Sequence, residues 1–139
     1  MTKRTLWTLV LIVCLSLTGC AHITEFTKKL WGSSTEALEE ARIDAERRIF
    51  QCKDLDCFDQ VLQIAEEEEL TVFIQDRKKS MIVLMGIPEV IDTTEIGVFF
   101  LGLGETETKV EISSLSQNAK NKASDLIFMR LAESFKEIR

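Results

Sequence analysis

The sequence predicts an α+β domain built on an antiparallel four-stranded sheet, in the order α-α-β-β-β-β-α. Three observations predict it. Two early segments carry apolar residues at helical spacing, and four consecutive middle segments are short, β-branched or aromatic and bounded by turn residues. A long final segment then returns to helical spacing. Strands grouped together, rather than alternating with helices, call for an antiparallel sheet with helices packed on it.

The first helix opens at Ser33-x-x-Glu36, a capping box, and its stripe is Leu38, Ala41, Ala45 and Ile49. A turn over Lys53-Asp54-Leu55-Asp56 follows, with Asp56 capping a second helix whose stripe is Phe58, Val61, Leu62 and Ala65. That helix ends in Glu66 to Glu69, acid placed against the negative end of the helix dipole. A frayed, solvated end is expected there, a divalent-cation site being the sharper alternative. "LTVFI" and "MIVLM" flank Gln75 to Ser80 as a hairpin, with Arg77-Lys78-Lys79 a solvated turn. Gly86-Ile87-Pro88 stops the second strand, since proline cannot continue a central ladder. "IGVFFLGL" and "TETKVEI" pair around Gly104-Glu105. Thr108, Val110 and Ile112 alternate with Glu107, Lys109 and Glu111, so one face of this last strand is expected to meet water. Ser116 opens the final helix, with Ala119, Ala123, Ile127, Leu131 and Ile138 along it, widened by Leu126, Phe128 and Phe135.

Two strands break the alternation that a half-exposed sheet requires. Met81, Val83 and Met85 oppose Ile82 and Leu84, and Phe99 with Leu101 opposes Val98 with Phe100, so both faces are apolar. Val98, Phe99, Phe100 and Leu101 therefore form the candidate interaction face, because large exposed apolar patches mark contact sites. Helices covering both faces, a partner or self-association surface, and an apolar-ligand cavity between sheet and long helix are the three outcomes this pattern allows.

The N-terminus carries an address. Lys3 and Arg4 precede an apolar run from Leu6 to Leu17, broken only by Thr8 and Ser16. That run is shorter than the roughly 20 residues a bilayer span needs, and has the form of a secretory signal. Leu17-Thr18-Gly19-Cys20 resembles the lipobox of bacterial lipoproteins. The resemblance implies that residues 1–19 are a signal peptide removed by cleavage before Cys20, and that the Cys20 thiol receives a diacylglycerol and its amino group a further acyl chain such as palmitate. Each buried CH₂ contributes ~0.8 kcal/mol, so two or more chains hold a protein stably. Ala21, where the family's inner-membrane signal would be Asp, implies the outer membrane, facing the periplasm, if the host has two membranes. Residues 20–34 are then anchor and tether. Ile23, Phe26, Leu30 and Trp31 make either a short amphipathic turn on the lipid or a plain tether. Residues 35–139 are the single α+β domain.

Composition narrows the function. The 139-residue chain has a formal charge of −6, which becomes −8 without Lys3 and Arg4, so the domain is expected to repel nucleic acid and anionic lipid alike, and nucleic acid is excluded as a partner. Of four cysteines, Cys14 leaves with the signal and Cys20 carries lipid, leaving Cys52 and Cys57 as a pair in an oxidising compartment. A structural disulfide is the leading reading, with a redox pair or a metal site as alternatives. The only histidine, His22, lies beside the anchor, and Ser113, Ser114 and Ser116 have none in the domain to activate them. No nucleotide, hydrolase or zinc motif is present. The expectation is a lipid-anchored envelope protein without catalysis, metal or cofactor, reaching the membrane through Cys20 and serving as an interaction or scaffold module. A carrier of a small apolar ligand and a thiol–disulfide protein are the alternatives.

Overall fold

In a computed structural model, residues 34–138 are described. The chain divides into two compact units, Met1–Glu36 and Ala37–Arg139, and the sheet, the core and every site below belong to the second. Signal, lipobox, Cys20 and His22 lie outside the described residues. Among the described residues the fold is α+β, with three helices and one antiparallel sheet of six strands rather than four.

Helix α1 covers residues 34–40 and tightens into a 3-10 turn over Ala41–Asp44. Ala45 is extended, and β1 follows at Glu46–Phe50, where the sequence predicts a continuing helix. The apolar spacing of Leu38, Ala41, Ala45 and Ile49 suits a helix, but sheet pairing overrides it. β1 lies along β5 (Thr108–Ser113), with Arg47 opposite Glu111 and Phe50 opposite Thr108, which buries Phe50 completely.

Helix α2 runs Asp54–Glu67, three residues earlier than expected. Lys53 is its N-cap, without a side-chain cap bond, and Asp56 is already inside the helix. Cys57, Phe58, Val61, Ile64 and Ala65 are its buried stripe. At its end Glu69 takes a positive φ and Leu70 N–H donates to the Ala65 carbonyl, closing the last turn in the manner usual for glycine.

β2 (Thr71–Asp76) and β3 (Met81–Met85) form the predicted hairpin, with a bulge between Val72 and Ile74. The Asp76 carboxylate accepts from the Lys78 and Lys79 amides and fixes the turn. β4 (Ile96–Gly102) and β5 form the second. Gly97 is required: a Cβ there would lie 2.7 Å from the Phe99 ring. Helix α3, Gln117–Ser134, is capped by the Ser116 hydroxyl, which accepts from Ala119 N–H. It stops short of the predicted end, because Phe135 is extended and Lys136 accepts a bond from Gln51 N–H, leading into β6 at Glu137–Ile138. The strand order is β2-β3-β4-β5-β1-β6.

Both α2 and α3 pack on one face. There Phe50, Ile82, Leu84, Ile96, Val98, Phe100, Val110 and Ile112 meet Phe58, Val61, Ile64, Ala123, Ile127 and Leu131 in the main core. The other face carries a small cluster, Leu38 over Met81, Val83 and Phe99, with Phe73 and Ile74 half-buried beside it.

Candidate functional site

The strand register divides the predicted face. Val98 and Phe100 point at the helices, and the Phe100 and Phe58 rings lie 5.3 Å apart. Phe99 points the other way, beneath Leu38 and the Arg42 guanidinium, 4.6 Å from its ring centre. Leu101 alone is open, at 45% exposure. It begins a cross-strand row on the second face, Leu101–Lys109–Ile49–Ile138, whose other three members are half-buried.

The expectation that Glu111 meets water is corrected: it is 4% exposed. Three cations surround its carboxylate. Arg42 Nε donates at 2.7 Å, Lys109 Nζ lies at 2.9 Å, and Arg47 Nε, from the opposing strand, at 3.2 Å. Burial alone pushes the Glu111 carboxyl up, but the bonds and charges of Lys109 and Arg42 outweigh it and hold its pKa below the usual value. A carboxylate so pinned stays ionised and is poorly suited to proton transfer.

The acidic end of α2 is tied down rather than frayed. Arg130 of α3 bonds Glu67, lies 3.2 Å from Glu68, and bonds Glu133 at 2.9 Å. Among the described residues no group of three or more His, Cys, Asp or Glu is placed to hold a metal. The Arg77-Lys78-Lys79 turn is not wholly solvated either, since Arg77 bonds Asp59 at 2.7 Å and lies over the Phe58 ring.

Cys52 and Cys57 are paired, with Cα atoms 6.0 Å apart, within disulfide range. Three of the four residues of the expected turn, Asp54, Leu55 and Asp56, are helix, so the bond ties the end of β1 to the first turn of α2. Both residues are buried, and the Thr108 hydroxyl donates to the Cys52 carbonyl. Ser113 and Ser114 donate to the Leu38 and Glu95 carbonyls.

The surface that sequence reasoning misses lies along α3. On one flank an apolar groove of about 290 Å³ is lined by Ile87, Pro88, Leu126 and Met129, with Glu89, Lys122 and Asp125 at its rim. Gly86 and Glu89, both at positive φ, turn the β3–β4 loop onto the helix, and the buried Ile87 pins it there. Lys122 bonds Glu89, which lowers the Glu89 pKa and clamps loop to helix. Met129 stays 56% exposed, and Ile91 of the same loop 76%. On the other flank a polar cleft of about 330 Å³ is lined by Glu46, Arg48, Asn121, Ser124, Asp125 and Phe128, and Arg48 lies 5.0 Å from the Phe128 ring. Asp125 borders both. One sequence signal pointed here: Met129 interrupts the polar side of α3.

These features define a class, a compact α+β domain with an open apolar groove beside its longest helix. No protein-family model matches the chain, and no curated protein is significantly similar to it.

Proposed function

We propose that the chain is a lipid-anchored protein of the cell envelope that acts by binding a protein partner and catalyses nothing. The Leu17-Thr18-Gly19-Cys20 box and the signal-like run before it support acylation at Cys20. Ala21 supports the outer membrane, periplasm-facing, in a two-membrane host. The observation that carries the binding reading is the groove between α3 and the β3–β4 loop. Its apolar floor, exposed Met129 and charged rim have the make-up of an interface, an apolar centre with polar edges. Methionine adapts to varied apolar partners.

The groove's volume also bears on the carrier reading. At about 290 Å³ it sits at the bottom of the range for small-molecule sites, and it is open rather than enclosed. It suits one or two side chains of a protein better than a lipid chain. Burial of Cys52 and Cys57 favours a structural over a redox pair.

Native mass spectrometry of the protein extracted from its own membrane tests the proposal. The expected species is acylated and carries a protein partner, which Met129→Glu removes without lowering the melting temperature appreciably. A monomer that carries a small apolar molecule favours the carrier. A monomer that carries nothing contradicts partner binding.

A further inference from the structure

We propose that the open end of the second sheet face lies on a lipid surface, its apolar row entering the headgroup region and its cations meeting lipid phosphates. The proposal rests on the lipid anchoring proposed above.

Shape comes first. Leu101, Lys109, Ile49 and Ile138 stand directly opposite one another across four strands, so their side chains share one face and one line. Strands ~4.8 Å apart make that row ~14 Å long. Three of its members are apolar; Leu101 is 45% exposed, and Ile49 and Ile138 are half-buried. The fourth, Lys109, has a long stem that lets its ammonium reach outward from an apolar contact.

Charge comes second. Arg42, Arg47 and Lys109 converge on the single carboxylate of Glu111, leaving a local excess of positive charge on a chain whose net charge is −6. Arg47 Nη2 also donates to the Arg42 and Ile43 carbonyls, but the side chains remain 37%, 43% and 27% exposed, within reach of lipid phosphate. Basic groups beside an anionic membrane surface are attracted to it. Glu107, just before β5, and Glu36, Glu39, Glu40 and Asp44, on the segment that carries Arg42, make that attraction modest. On the other side of the sheet, α2 carries Asp54, Asp56, Asp59, Glu66 and Glu67 and no Lys or Arg, and α3 brings Lys120, Lys122 and Arg130.

The path of the chain is the third observation. The compact unit begins at Ala37, and Leu38 already packs on this face, its carbonyl accepting from the buried Ser113 hydroxyl. An anchor at Cys20, 17 residues before Ala37, has an extended reach of at most ~60 Å. The described chain thus enters the unit on this face. Apolar row, cations and point of entry share that face.

The test uses the full acylated chain in phosphatidylethanolamine vesicles, with and without phosphatidylglycerol. A fluorophore is placed at Leu101→Cys or at Met129→Cys, quenched from the lipid by a headgroup-level nitroxide and from water by iodide. Lipid quenching several-fold stronger at position 101 than at 129, with the reverse order for iodide, is the expected result. Phosphatidylglycerol should widen the contrast. Lys109→Glu should shrink it, and so should Ile138→Ser, which leaves the Glu111 cluster untouched; vesicle binding should persist in both. If the chain floats with vesicles but position 101 is quenched no more than 129, the anchor stands and this proposal falls. Shielding of position 101 from iodide without lipid quenching means a protein covers the face, and also overturns it. A chain that floats no better than Cys20→Ser overturns the anchoring reading itself.

Discussion

The two faces of the sheet share the same strands, yet they are closed by different means. On the helix side, α2 and α3 seal a continuous core from Phe50 to Leu131, with Val61, Ile82, Val110, Ile112 and Ile127 fully buried. On the second side, one leucine, one carbonyl bond and an ion cluster cover only the middle of the sheet, leaving Leu101 open. The apolar pattern of "MIVLM" and "IGVFFLGL" is equally strong on both sides. Apolar strand residues thus mark both a core and a contact face, and only what is placed over them tells the two apart.

Truncating one residue on each side should break the comparison most visibly. Phe58→Ala removes a ring that packs on Phe100 and carries Arg77, and should cost about 3–5 kcal/mol in urea unfolding. Leu38→Ala, in the smaller cluster, should cost about 2 kcal/mol, the low end for a buried leucine, because the edge of that cluster can collapse. Equal losses would mean that both faces are core in the same sense.

The disulfide belongs to the helix side. Cys52→Ser with Cys57→Ser opens a loop of six residues and should lower stability by roughly 2 kcal/mol, read as a lower melting temperature. The binding activity should survive, which a redox role for the pair would not permit.

Acid sharpens the second side. The folded Glu111 carboxyl has a lowered pKa, so its contribution is complete above the ordinary glutamate value and fades as pH falls through the lowered folded one. Glu111→Gln should cost about 1–2 kcal/mol at neutral pH, and its deficit against the parent should shrink on acidification, seen in urea titrations at several pH values. The smallest effect belongs to Leu101→Ser, expected within about 0.5 kcal/mol of the parent because the side chain is half in water.

What the sequence revealed follows the strength of local signals. Both hairpins and α3 were legible, since Asp76 with the lysines after it, Gly104-Glu105, and Ala119, Ala123, Ile127 and Leu131 each state one structure without contradiction. β1 was not. Glu46-Arg47-Arg48 are good helix formers, and only pairing with β5, more than sixty residues away, makes them a strand. β6 is two residues long and gives no periodicity. Glu111 looked exposed because alternation reports which face a residue is on, and its burial depends on arginines from another segment. The groove joins Ile87 and Pro88 to Leu126 and Met129, a meeting no local pattern encodes.

Thiol accessibility at three positions tests the division of labour between the faces most directly. Leu101→Cys, Met129→Cys and Gln63→Cys, the last on the exposed side of α2, would be reacted with a membrane-impermeant maleimide. Each protein is compared in native envelope membranes, in lipid vesicles alone, and in detergent. The account predicts that position 101 is shielded wherever lipid is present, that 129 is shielded only in the native envelope, and that 63 reacts throughout. Equal reactivity of 101 and 129 in every setting would contradict it.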